Sequence, residues 1–254
     1  MLALATALSA SAQQITNKKG DPVLPESGDW SVGFDAMPFL NYAGNFFNSS
    51  NKAPTANFNA AHPLTFSGIY VKTPSLLYRA KIRLGVTSAK VDTLVARVGS
   101  SNANETVANE RKHTTTNVSF GAGIEKFKGK GRLKGIYGVE GLLSFTGDKT
   151  TYSYGNDLST ENQESRLRSS KLGTGVGFQL RVFMGVEYFF APKMSVSAEY
   201  GWGPTIQSTG QGETVTEAWS GSGVTTTIKN TGKSSLFTLD NDNGAGALNF
   251  NFYF

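Results

Sequence analysis

The sequence predicts an all-β fold: an eight-stranded antiparallel up-and-down transmembrane β-barrel. Three observations carry the prediction. Apolar and polar residues alternate with period two along much of the 254-residue chain. The segments between alternating runs are by turns long and short. Charged residues fall mid-strand, on the polar face of most runs.

The first run places Trp30, Val32, Phe34, Ala36, Leu40 and Tyr42 on one face, opposite Ser31, Gly33, Asp35 and Asn41. A second segment, Phe66 to Lys72, alternates poorly but is rich in strand formers. Leu76, Tyr78, Ala80, Ile82, Leu84 and Val86 then oppose Arg79, Lys81, Arg83 and Gly85. Val118, Phe120, Ala122 and Ile124 oppose Ser119, Gly121, Gly123 and Glu125. Tyr137, Val139, Leu143 and Phe145 oppose Gly138, Glu140 and Ser144. The longest run sets Val176, Phe178, Leu180, Val182, Met184, Val186, Tyr188 and Phe190 against Gly177, Gln179, Arg181, Gly185 and Glu187. Val196, Ala198, Tyr200 and Trp202 face away from Ser197, Glu199 and Gly201. The last strand carries Leu248, Phe250, Phe252 and Phe254 on one face and Asn249, Asn251 and Tyr253 on the other.

The turns around 73–75, 128–132 and 191–194 are tight, whereas residues 43–63, 91–113, 148–170 and 207–235 are long and polar. An antiparallel barrel with one short-looped and one long-looped rim gives this order, with both termini on the short-turn side. Residues 1–12 combine an apolar run with Ala10-Ser11-Ala12 before Gln13, which predicts a processed signal peptide. Residues 13–26 then form a periplasmic N-terminal segment, and 27–254 the barrel. With no cysteine, neither disulfides nor thiolate metal sites are expected. The 17 Phe, 9 Tyr and 3 Trp in ordered alternation exclude a disordered chain.

Alternation does not itself say whether the apolar face points in or out. Two observations place it outward, in lipid. The polar face holds Asp35, Arg79, Lys81, Arg83, Glu125, Glu140, Arg181, Glu187 and Glu199 among small residues, which suits a narrow, mutually paired interior. Aromatics on the apolar face sit near strand ends, as in interfacial girdles. With Gln179 and Phe183, these nine charges fill the lumen.

The closing alternation with terminal Phe254 resembles bacterial outer-membrane β-barrels of the OmpA/OmpX-like kind. DAMPFLNYAGNFFN (35–48) and GIEKFKGKGRLKGIYGVEGLL (123–143) make it most similar to small eight-stranded barrels of Bacteroidota. The resemblance implies that Leu248, Phe250, Phe252 and Phe254 form an assembly signal read by the barrel-insertion machinery. It implies an outer-membrane location with periplasmic termini and extracellular long loops, and no assigned activity.

Motifs for chemistry are sparse. His62 and His113 have no local serine and carboxylate pattern. Asp240 to Gly244 departs from a calcium loop in its ligand order and lacks the terminal glutamate, so it reads as a bend. No cofactor, metal or catalytic residue is expected, and the net charge of +5 does not require nucleic acid. Arg111, Lys112, Arg166, Arg168 and Lys171, on the long-loop rim, are candidates for lipopolysaccharide phosphates. Lys126, Lys128, Lys130, Arg132 and Lys134 cluster at one periplasmic turn, beside headgroups or a protein partner. TVTEAW (214–219) and VTTTIK (224–229) flank Ser-Gly-Ser-Gly, a hairpin whose edge can receive a partner strand. The expected role is a non-enzymatic outer-membrane barrel serving envelope structure or adhesion through its loops. A narrow channel is the alternative, and a lipid-modifying enzyme a weaker one.

Overall fold

In the computed structural model, residues 15–35, 64–241 and 247–254 are described. The signal segment, Ala36 to Tyr42 of the first run, the 43–63 connection and residues 242–246 lie outside them.

The strands are β1 (Trp30–Asp35), β2 (Leu64–Thr73), β3 (Leu76–Ala96), β4 (Thr106–Lys128), β5 (Leu133–Ser153), β6 (Arg166–Lys171), β7 (Gly175–Ala191), β8 (Met194–Thr209), β9 (Glu213–Trp219), β10 (Val224–Asn230), β11 (Ser234–Asn241) and β12 (Ala247–Tyr253). All pairings between them are antiparallel, and they close on themselves. The order β1-β2-β3-β4-β5-β7-β8-β12 returns to β1, through Val32 opposite Phe252 and Phe34 opposite Phe250. The ring therefore passes through eight of twelve strands, where the sequence reading has eight strands in all.

The added strands occupy segments read as loops. β3, β4 and β5 run 21, 23 and 21 residues and stay in register to their far ends. That is about twice the apolar stretch of each, because the Thr-rich polar continuations satisfy their backbone by pairing with each other. Beyond the ring, β6, β9 and β10 extend this sheet in the order β10-β9-β6-β5-β4-β3. β9 and β10 form the hairpin anticipated at 214–229. β11 pairs with β8 at Trp202 to Thr209, and β12 pairs with β8 at Met194 to Glu199, so both run along one neighbour.

Side chains sort by parity. On the outer face Val32, Tyr78, Ile82, Leu84, Phe120, Ile124, Tyr137, Leu143, Phe178, Val182, Met184, Tyr188 and Trp202 are exposed. Their neighbours in sequence are largely buried, as period two requires. An exposed apolar band of this extent is far more than a water-facing surface carries.

The short-turn end of the interior is apolar, where the sequence reading expects a lumen filled by charges with Gln179 and Phe183. Ile69, Val71, Leu77, Phe127, Ile136, Phe189 and Tyr253 form one buried cluster there. Phe189 stands edge-on to Phe127 and 5.7 Å from Tyr253 between ring centroids. The segment before β1 completes this floor. Val23 is wholly buried in it, its carbonyl accepting from Lys193 N at 3.0 Å and its N–H donating to Ile15 O at 2.8 Å. Lys193 Nζ also meets Asp29 at 2.8 Å, tying the 191–194 turn to the entry of β1.

Candidate functional site

Above the apolar floor, the inward positions of five strands converge on a charge network. One cross-strand row holds Arg79 (β3), Gly123 (β4), Glu140 (β5) and Arg181 (β7). The adjacent row holds Leu77, Glu125, Gly138, Phe183 and Gly201. The small members of these rows leave space for the large ones. A Cβ at Gly138 would come within 2.6 Å of the Phe183 ring, and one at Gly201 within 2.6 Å of Arg181 Nη2.

Arg79 is the hub. Its Nη1 donates to Glu125 Oε2 at 2.9 Å, and its Nη2 to Glu199 Oε2 at 2.9 Å. Its Nε lies 3.3 Å from Glu140 Oε2, an ion-pair contact without hydrogen-bond alignment. The guanidinium also sits 4.2 Å from the Phe183 ring centroid, so the aromatic face completes its shell. Lys81 Nζ bridges Glu199 at 2.5 Å and Glu140 at 3.3 Å; Arg181 Nη1 donates to Glu140 at 2.7 Å and Glu199 at 3.3 Å. All six charged side chains are at most 10% exposed. Buried charges persist only when paired in this way.

Not every predicted interior charge belongs to this cluster. Glu187 lies nearer the floor, where it accepts from Tyr253 Oη at 2.9 Å, from Asn251 Nδ2 at 3.2 Å and from Ser195. Neutral donors hold it, and among the described residues it makes no ion pair. Arg83 is exposed, one inward position above Lys81, and Asp35 is half-buried at the end of β1. Among the described residues the ring is thus packed from its floor to the level of Lys81.

The long-loop cations separate by face and partner. Lys112 and Lys171 lie on outward parity, whereas Arg111 falls on inward parity in β4. Arg166 Nε meets Glu217 at 2.6 Å and stacks 4.4 Å over Tyr154, and Arg168 lies 3.4 Å from the same carboxylate. Those two arginines hold β6 to β9. At the 128–132 turn, Lys134 is buried and donates to Gly129 O, while Arg132 reaches Phe190 O, leaving Lys126, Lys128 and Lys130 exposed.

One arrangement escaped the sequence reading. His113 lies between Thr150 Oγ1 (2.9 Å, from Nδ1) and Asp148 Oδ2 (3.2 Å, from Nε2). The residues are remote in sequence and adjacent only through the β4–β5 register. Thr150 is buried, so its hydroxyl is not presented to a substrate. Among the described residues no three His, Asp or Glu stand in metal-binding geometry.

The molecule is a closed antiparallel ring with an apolar exterior and an ion-paired interior. No family model and no curated protein matches the chain. Among solved structures it is similar to the outer membrane protein OprG from Pseudomonas aeruginosa, at 9% identity and a TM-score of 0.36 over 91% of this chain and 98% of that one.

Proposed function

We propose that this chain is a bacterial outer-membrane β-barrel with a plugged lumen. In this reading its termini are periplasmic, its β3–β6 and β9–β10 projections extracellular, and its role is envelope structure or binding through those projections. The exterior supports the membrane location: the ring exposes aromatic and aliphatic side chains on all sides, and a closed ring leaves no unpaired backbone edge toward hydrocarbon. The interior carries the choice between plug and pore. Arg79, Lys81, Arg181, Glu125, Glu140 and Glu199 meet across the lumen and stand directly above a packed apolar floor. A steady aqueous pathway would have to displace both layers.

The test is reconstitution of the purified chain. It should require detergent, give a strand-rich circular dichroism spectrum, shift its gel mobility on boiling, and show no large steady conductance in planar bilayers. Monomeric solubility without detergent would overturn the membrane location. A steady open level would overturn the plug in favour of a channel.

A further inference from the structure

Residues 15–25 meet the apolar floor from the short-turn side, and they are built as a unit. Asn17 Oδ1 accepts from Lys19 N at 2.8 Å and from Asp21 N at 2.9 Å, while Asn17 N donates to Asp21 O at 2.9 Å. Gly20 supplies the left-handed position of this turn, at φ 91°. Thr16 and Pro22 form an antiparallel bridge, and Val23 N donates to Ile15 O at 2.8 Å. All these bonds are internal, so the loop keeps its shape whether or not it touches the ring. Its ties to the ring are few. Val23 is wholly buried in the floor, with Ile15 and Leu24 packed against it, and a single backbone bond crosses from this loop to the ring, Lys193 N to Val23 O at 3.0 Å. The ring strands, by contrast, share continuous ladders.

Beyond Pro25 the chain is anchored again. Ser27 Oγ donates to Lys72 O and Gly28 N to Val71 O, both at 2.8 Å, with Gly28 at φ 99°. The residue that holds the loop is also a backbone outlier. Lys193 has φ 55°, and among the described residues no other non-glycine residue has a positive φ. That conformation is unfavourable for a residue with a Cβ, and glycine would take it freely. The lysine instead brings contacts that glycine lacks in part: its N–H meets Val23, its carbonyl accepts from Tyr253 N at 2.8 Å, and its Nζ stands 2.8 Å from Asp29. Strain retained at one contact point of a lightly held loop points to a function there.

We propose that residues 15–25 form a rigid flap that opens and closes the short-turn mouth of the folded ring, latched by Lys193 and pivoting at residues 26–28. Open, the flap uncovers the floor cluster and Glu187, which Tyr253 holds just inside it. The charge network above stays closed. The flap is then one of two closures in series. This rests on the plugged-lumen reading above and makes the lower layer of that plug movable.

The chain has no cysteine, so a single introduced one reports access. Val71→Cys places it in the floor, at a wholly buried position, and Ser119→Cys places it in the interior beyond the charge network. Each full-length reporter, in detergent micelles, is treated with a water-soluble maleimide. Adding Val23→Ser should speed labelling of the Val71→Cys reporter at least about tenfold, because undocking no longer exposes a buried valine. It should leave the Ser119→Cys reporter and the urea midpoint of the ring unchanged. Lys193→Gly, which keeps the turn and removes the Asp29 contact, should speed the same reporter by about two- to fivefold. Equal labelling of the Val71→Cys reporter with and without Val23→Ser overturns the proposal. So does acceleration at both reporters with a lowered urea midpoint, which makes Val23 part of one cooperative core. Native-state hydrogen exchange repeats the test without a reporter, should Val71→Cys not fold. The Lys193 amide should exchange through an opening insensitive to low urea, and amides of the β3–β4 ladder through one that urea accelerates. Matching urea dependence at the two would also overturn the flap. Steady conductance refutes the plug and labelling refutes the flap, so the two failures are read separately.

Discussion

Arg79 on β3 and Glu199 on β8 form an ion pair at 2.9 Å across the full width of the ring. Four strand positions separate β3 from β8 in either direction, so the two side chains start from opposite walls and meet in the middle. Glu140 joins them through Arg181 at 2.7 Å and Lys81 at 3.3 Å. Glu140→Lys would leave four cations facing two acids in this cluster. Breaking a buried pair costs about 3–5 kcal/mol, so the variant should unfold at lower urea in lipid vesicles or show new conductance. Glu164→Lys is the control: Glu164 is exposed, and the expected change is within roughly 0.5 kcal/mol. Glu105 is a poorer control, because it pairs with Arg97 at 2.5 Å. Equal urea midpoints and unchanged conductance for both variants would show that the network does not hold the lumen closed.

Gly138 and Phe183 give a steric test of the same layer. A methyl group at 138 would meet the Phe183 ring at 2.6 Å and press on the Ile124 carbonyl. The ring cannot retreat without leaving Arg79, which it faces at 4.2 Å. Gly138→Ala should therefore destabilise by about 1–3 kcal/mol, the usual cost of overpacking. Gly138→Ala with Phe183→Leu should recover part of that loss in the same urea titration. If Gly138→Ala alone matches the native midpoint, the glycine is not there to house the ring.

The period-two pattern made the outward face and the inward charges legible from residues alone. Arg79, Lys81, Glu125, Glu140, Arg181 and Glu199 all sit at inward parity, most of them between outward apolar neighbours. What the pattern concealed lies where both parities are apolar. Tyr70-Val71, Leu76-Leu77 and Phe189-Phe190 read as ambiguous doublets, yet one member of each enters the interior floor. The strand extensions were hidden for the opposite reason. Residues 88–96 and 106–116 have two polar or mixed faces, so no hydrophobic period marks them, and only Thr and Val content hints at strand. Which cations meet Glu217 depends on the β6–β9 pairing, a long-range register that composition does not encode.

Glu105 supplies a pH test outside the apolar band. Hydrogen bonds from Ser100 and then from Arg97 hold its carboxyl below the ordinary value. A depressed folded value means that the loop contact is fully present above the unfolded value and is lost as pH falls through the folded one. NMR titration of Glu105 should thus show a midpoint below the ordinary glutamate value, and Ser100→Ala should move it upward. An unchanged midpoint in Ser100→Ala would remove the hydroxyl as the main cause. Because the contact is local to one half-exposed loop, global stability should barely respond.

The closing strand separates recognition from packing. Phe254 N donates to Trp30 O at 2.8 Å and Trp30 N to Phe254 O at 2.9 Å, so the last residue seals the ring by backbone bonds. Inside, Tyr253 Oη donates to Glu187 at 2.9 Å; outside, Phe252 and Phe254 are 37% and 67% exposed. Tyr253→Phe removes one hydrogen bond to a charged group, worth about 1.5–3 kcal/mol. It should insert normally but unfold at lower urea. Phe252→Ser with Phe254→Ser leaves the backbone pairs and Glu187 untouched and removes outward apolar surface together with the Phe252–Phe34 ring contact at 5.9 Å, about 1.5–3 kcal/mol per side chain at most. If the insertion machinery reads this face, the double variant should fail to accumulate as a heat-modifiable band in membranes, while still folding from urea into vesicles. Normal membrane levels would reject the signal. Failure in vesicles as well would assign the defect to lost burial alone, since no machinery is present there.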